Sequence, residues 1–147
     1  MNNISAHISY TEAVYSFKAS QKGLINVPND EQLANMKLVA EMCFEPIRLW
    51  WNRPLKINSF FRSPEVNKAV NGSPTSDHMK GCSIDFTAGN REDNLKIFKF
   101  VKENLIFDQV IAENGNADGP DWIHISYKKS GNRKQALKIK QIVARDT

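Results

Sequence analysis

Trp122-Ile123-His124-Ile125-Ser126 alternates as a half-buried β-strand does, yet it places an imidazole among isoleucines. A histidine standing alone in such a strand is ordinarily a hydrogen-bonded core residue. A second stretch, Ser76-Asp77-His78-Met79-Lys80-Gly81-Cys82-Ser83-Ile84-Asp85-Phe86, reverses that preference. There a histidine, a glycine turn and an aspartate on a strand bring an imidazole and a carboxylate to one point. Nitrogen and oxygen donors of this kind suit zinc. Two histidines and one carboxylate leave a tetrahedral position open for water, which is the arrangement of a catalytic rather than a structural zinc site. The candidate ligands are therefore His78, Asp85 and His124.

Cys82 is a rival ligand by chemistry. If Ser83 to Thr87 is a strand, Ser83 and Asp85 share one face and Cys82 takes the other, towards the core. His7, the third histidine, lies in a polar N-terminal stretch and reads as structural or incidental. With only Cys43 and Cys82 there is no disulfide framework, and a pair of buried free thiols is expected.

The strands that carry these residues belong to an α+β pattern. Asn29 to Trp50 has apolar residues at 33, 36, 39/40, 43, 47 and 50, the spacing of one helical face. Asn29 and Gln32 resemble a capping box, and Pro46 should bend or interrupt the helix near its end. Leu55 to Ser59 reads as a strand. Ser63-Pro64-Glu65 starts a short helix that ends near Val70, before Asn71-Gly72. Asn90 caps a helix whose stripe is Leu95, Phe98, Val101 and Leu105. Asp108 to Glu113 and Trp122 to Tyr127 form a wide hairpin across the polar loop 114–121, and Gln135 to Val143 reads as a last edge strand. The expected fold is a small, mainly antiparallel sheet flanked by helices. At 147 residues and 41% hydrophobic content the chain has room for one core, so a single domain over 1–147 is expected.

The net charge of +4 is unevenly placed. Residues 128–145 carry Lys128, Lys129, Arg133, Lys134, Lys138, Lys140 and Arg145 with no acid among them, so 128–147 reads as a basic C-terminal extension on a slightly acidic body. Such a segment either attracts anionic polymers or merely solubilises the chain. No base-reading or stacking motif accompanies it, so nucleic acid is not an expected partner. No run of about 18 apolar residues is present, and no membrane span is expected. The polar start MNNISAHISYTE lacks a secretory pattern, which predicts synthesis in a cytoplasm. A monomer is expected.

With Ser76, His78, Gly81, Ser83 and Asp85, then Trp122 and His124, the chain resembles the M15 zinc peptidases, the group of D-alanyl-D-alanine carboxypeptidases and phage endolysins. The family signature is Ser-x-His-x-x-Gly-x-Ala-x-Asp followed by Trp-x-His; Ser83 replaces the alanine with another small residue. Upstream, Ile57 to Val70 resembles the family's strand-to-helix segment, with Phe60-Phe61-Arg62 where Gly-Tyr-Arg is usual. The likeness spans roughly residues 8 to 127 and is nearest the compact branch of phages and prophages.

The resemblance implies a hedgehog and D,D-peptidase-like fold with zinc on the open face of the sheet, held by His78, Asp85 and His124. It implies Arg62 as the cation that steadies the developing oxyanion, and Ser76 as a residue lining the substrate site. For the general base it offers Glu113, preferred here, or Asp121 three residues before the last histidine. Arg62 has an alternative use as an ion-pair partner of Asp77 or Glu65. Trp50, Trp51 and Trp122 either build a sugar platform or pack in the core. The function implied is zinc-dependent hydrolysis of peptidoglycan stem or cross-bridge peptides, of D,D-carboxypeptidase or endopeptidase and endolysin type. Lysis, a holin or a virion would bring the protein to the cell wall. The alternative is a non-catalytic zinc-containing phage structural or wall-binding protein.

Overall fold

The computed structural model describes residues 2–140. Two short helices, α1 (Tyr10–Val14) and α2 (Phe17–Lys22), come first. Ser9 and Glu12 close α1 with a reciprocal capping box, and Ser16 caps α2, which stops at Gly23 in the left-handed region. Helix α3 (Asp30–Val39) begins on the expected Asn29–Gln32 box. It runs through a π-helical turn, Ala40–Phe44, into α4 (Glu45–Trp51).

The π-turn explains what Pro46 does. A proline inside an α-helix lacks the N–H that its turn requires and crowds the carbonyl four residues back. Here the widened turn ends as Pro46 enters the first turn of α4, so the helix is interrupted there without being broken. Met36, Val39, Ala40, Cys43, Phe44 and Ile47 are buried along the joined helices. Trp50, expected on that stripe, is instead 46% exposed and stacks on Phe100 at 4.0 Å.

Five strands form one sheet in the order β1-β2-β4-β3-β5. They are β1 (Lys56–Ser59), β2 (Ser83–Thr87), β3 (Gln109–Glu113), β4 (Trp122–Ser126) and β5 (Gln135–Ile139). All neighbouring pairs are antiparallel except β3 with β5, which are parallel. Helix α5 (Pro64–Ala69) starts at the Ser63 cap, and the long α6 (Arg91–Asn104) starts at Asn90. Through α6 the chain passes from β2 to β3 and leaves a one-strand gap, which the β3–β4 hairpin then fills. The mixed α+β architecture with helices flanking a mainly antiparallel sheet is as expected from the sequence. The last strand begins where expected; of the expected Gln135–Val143 strand, residues 141–143 lie outside the described residues.

Strand alternation divides the sheet. Ile84, Phe86, Val110, Ala112, Ile123 and Ile125 belong to one core cluster with Met36, Phe44, Ile97, Phe98 and Val101 from the helices. Burying each large side chain of this kind contributes about 1.5–3 kcal/mol. On α6 the buried face is Asn94, Ile97, Phe98 and Val101, with Leu95 and Leu105 only half-buried. Asn94 shifts the face because its amide donates to the Pro120 and Asp121 carbonyls and accepts from the Ala88 N–H. The opposite sheet face, carrying Asp85, His124 and Glu113, faces away from this core.

Candidate metal centre

Cross-strand pairing brings the first two candidate ligands together. In the β2–β4 register Asp85 lies directly opposite His124, so both side chains stand on the open face. The third arrives from a 3-10 turn, Asp77–Lys80, whose N-cap Ser76 accepts the His78 N–H at 3.2 Å. Gly81 ends that turn at φ +77°, and a Cβ there would lie 2.5 Å from the Gln32 carbonyl oxygen on α3. Glycine is thus required both by the backbone and by the approach of the helix.

His78 Nε2 lies 3.2 Å from Asp85 Oδ2, and His124 Nδ1 lies 2.8 Å from Asp85 Oδ1. One donor atom from each of the three residues falls within 4.8 Å of the others. The Phe60 carbonyl can only accept, so His78 Nδ1 donates to it at 2.6 Å, which orients the ring with Nε2 towards Asp85. Two donors bound at 2.0–2.1 Å to a tetrahedral ion stand roughly 3.3 Å apart. The two separations from Asp85 lie near that spacing, and the nitrogen and oxygen donors suit a small divalent cation. Their side-chain exposures of 2%, 16% and 13% make the centre shielded but open on one side.

The charges reinforce one another. Burial would raise the Asp85 carboxyl, but the two imidazoles outweigh it and hold Asp85 well below the usual carboxylate range. Burial would lower His124, and the hydrogen bond and charge of Asp85 raise it instead. Glu113 is pushed up by burial and by the Asp85 charge, with His124 opposing.

Glu113 pairs across the hairpin with Trp122, and Ile111 with His124, which makes Glu113 a diagonal neighbour of His124 on the same face. Asp121 sits one residue outside that alternation, where its carboxylate accepts from Arg91 Nε at 2.8 Å. Of the two candidate bases, the fold brings Glu113 to the cluster and directs Asp121 to α6. Arg62 donates from Nη2 to Ser76 Oγ at 3.1 Å, its Nε is buried without a protein partner, and it forms no ion pair with Asp77 or Glu65. Burial draws its guanidinium down and the Asp85 charge partly offsets this.

Cys82 is buried just before β2 and stands outside the ligand group. Burial raises both thiols, Cys43 to about 12. Both are free, as expected. Trp50 and Trp51 pair on the helical side of the molecule while Trp122, two residues before His124, shares its open face, so the three build no common platform. His7 donates to Glu45 and pins the N-terminal stretch to α4. Two cavities, of about 580 and 650 Å³, lie along α6 and its N-terminal end, and neither is lined by a residue of the cluster.

The chain matches the family described as Peptidase M15 over residues 6–126, well over half its length. It belongs to the M15 peptidase family. M15 peptidases are metallopeptidases, and His78, Asp85 and His124 form a group among the described residues that could hold a metal ion. No curated protein sequence matches the chain. In this M15 peptidase the family match ends at Ser126, so the parallel edge strand β5 lies beyond it.

Asn26 and Asn94 were not singled out by the sequence. Each is a buried amide that bonds irregular backbone on two sides.

Proposed function

We propose that this chain is a zinc-dependent peptidase that hydrolyses peptide bonds of bacterial peptidoglycan. The observation that carries the reading is the His78–Asp85–His124 cluster on the open sheet face, flanked by Arg62 on one side and Glu113 on the other. Membership of a peptidase family supports peptide hydrolysis, and the resemblance to D-alanyl-D-alanine carboxypeptidases and endolysins supports wall peptides as the substrate class. Phage or prophage origin and action on the wall after release belong to the same proposal. No helix among the described residues is long and apolar enough to cross a membrane.

Zinc held by the three side chains would supply a Lewis acid that acidifies water and polarises the scissile carbonyl. The remaining steps belong to the protein. Glu113 takes the proton of the attacking water on its carboxylate and returns it to the leaving amine nitrogen. Its raised affinity for a proton suits it to both transfers. Arg62 directs guanidinium N–H groups at the oxygen that gains charge as the carbon becomes tetrahedral. Ser76 holds that guanidinium through Oγ and borders the substrate.

The test is turnover of purified peptidoglycan by zinc-loaded protein beside a chelated control and Asp85→Ala. Fragments with new amino termini, absent from both controls, are the expected result and identify the bond by mass spectrometry. Stoichiometric zinc binding with no fragment would replace this reading with a non-catalytic wall-binding role.

A further inference from the structure

Arg62 lies in an irregular stretch, residues 60–63, between β1 and α5, where no ladder fixes its backbone. Phe60 and Phe61 are 1% exposed, so the peptide groups around them need partners within the protein. Two come from the site itself: Phe60 O accepts from His78 Nδ1, and the Arg62 N–H donates to His78 O at 3.2 Å. The Phe61 N–H donates to Ala13 O at 3.1 Å. The two groups that bracket Arg62 go to one side chain. Asn26 Nδ2 donates to Phe61 O at 3.0 Å, and Asn26 Oδ1 accepts the Ser63 N–H at 2.7 Å.

The amide cannot be turned over, because its nitrogen meets two carbonyls, Phe61 O and Val14 O at 2.8 Å, while its oxygen meets an N–H. Asn26 is itself only 9% exposed, and Ser63 Oγ donates to the neighbouring Ile25 O at 2.9 Å. The chain thus offers a peptide-like clamp to both sides of Arg62, on the face of the segment away from His78.

The geometry points to Asn26 as a positioning residue for Arg62: it holds the backbone on either side so that the guanidinium reaches Ser76 and the oxyanion position. This rests on the reaction proposed above. A ligand-like misplacement of a charged donor by about 1 Å costs on the order of 100-fold in rate. No atom of Asn26 need touch the substrate.

The experiment compares wild type, Asn26→Ala, Arg62→Ala and the double variant, all zinc-loaded, on purified peptidoglycan. Asn26→Asp, which keeps the acceptor for Ser63 and loses both donors, takes the place of the alanine variant if that does not fold. Asn26→Ala is expected to lower kcat about 100-fold with zinc still bound stoichiometrically, and to cost almost nothing further in the Arg62→Ala background. Equal losses in both backgrounds, or no loss in either, would overturn the proposal. The second readout is the Arg62 Nε–H signal by 15N NMR of the zinc-loaded protein, expected to be slow to exchange in wild type and averaged in Asn26→Ala. If wild type turns nothing over, the proposed reaction fails, and this signal alone decides the clamp: its persistence in Asn26→Ala overturns it.

Discussion

Glu113 and Asp121 stand at the two ends of one hairpin loop, and the Asp121 N–H even donates to the Glu113 carbonyl at 2.9 Å, yet their side chains do opposite things. Asp121, an odd three residues before His124, falls out of its alternation and turns to Arg91, while Glu113 pairs with Trp122 and stays on the face of His124. Glu113→Gln is therefore expected to retain zinc and to lose roughly 100- to 10,000-fold in kcat. Asp121→Asn should stay within about threefold of wild type, since an exposed ion pair contributes little. Steady-state rates on a stem peptide, with zinc content measured on the same samples, check both. A large loss from Asp121→Asn alone would move the base to the other end of the loop.

Among the elements, the 3-10 turn and the edge strand β5 depend most visibly on single contacts. Gly81→Ala must adopt a left-handed φ and press a methyl group against the Gln32 carbonyl. It is expected to destabilise the fold by about 2 kcal/mol or more, read from urea unfolding at constant slope. His78 rides on this turn, so zinc affinity should fall with stability.

Strand β5 is fastened differently. Asp108, whose side chain is fully buried, accepts from Arg133 Nε and Nη2 at 2.9 and 2.8 Å and from the Arg133 N–H, with Lys128 Nζ at 3.4 Å. The Arg133 hydrogen bonds, against the opposing effect of burial, hold its pKa at about 2, below its ordinary 3.8. A depressed carboxyl stabilises the folded form above its unfolded pKa and stops doing so as pH falls through the folded one. Protection of the β5 amides, corrected for intrinsic exchange, should be constant above about pH 4 and fall towards pH 2. In Asp108→Asn it should be low throughout, and an unchanged pH profile in that variant would mean that another group holds the strand.

For the whole molecule, the three candidate ligands come from two strands and a turn that meet only in the native fold. A metal that binds this state and not the unfolded chain stabilises it by about 4 kcal/mol at a thousandfold excess over its dissociation constant. Calorimetry with zinc and with chelator should show that increment, and Asp85→Ala should abolish it. The basic segment is partly built into the sheet rather than trailing from it, since residues 135–139 form β5 beside β3. Attraction of anionic polymers, if it occurs, belongs to a folded edge whose lysines keep fixed spacing.

Local rules were enough for much of this. The caps at Asn29, Ser63 and Asn90, the alternation of β2 and β4 and the ligand motif itself depend on neighbours a few residues away, where backbone hydrogen bonding and side-chain period act directly. The same alternation sufficed to separate Cys82 from Asp85. What distance along the chain decides was not legible. The π-turn ahead of Pro46, the parallel docking of β5 through Asp108 and Arg133, the Asn94 bonds that rotate α6 and the Asn26 clamp on Arg62 join residues 25 or more positions apart or answer to packing around them. Sequence determined which side chains are candidates for the chemistry, because donor type and period are local properties. Only the tertiary structure decided how Arg62 and Glu113 are aimed, because their directions are set by partners brought near through burial.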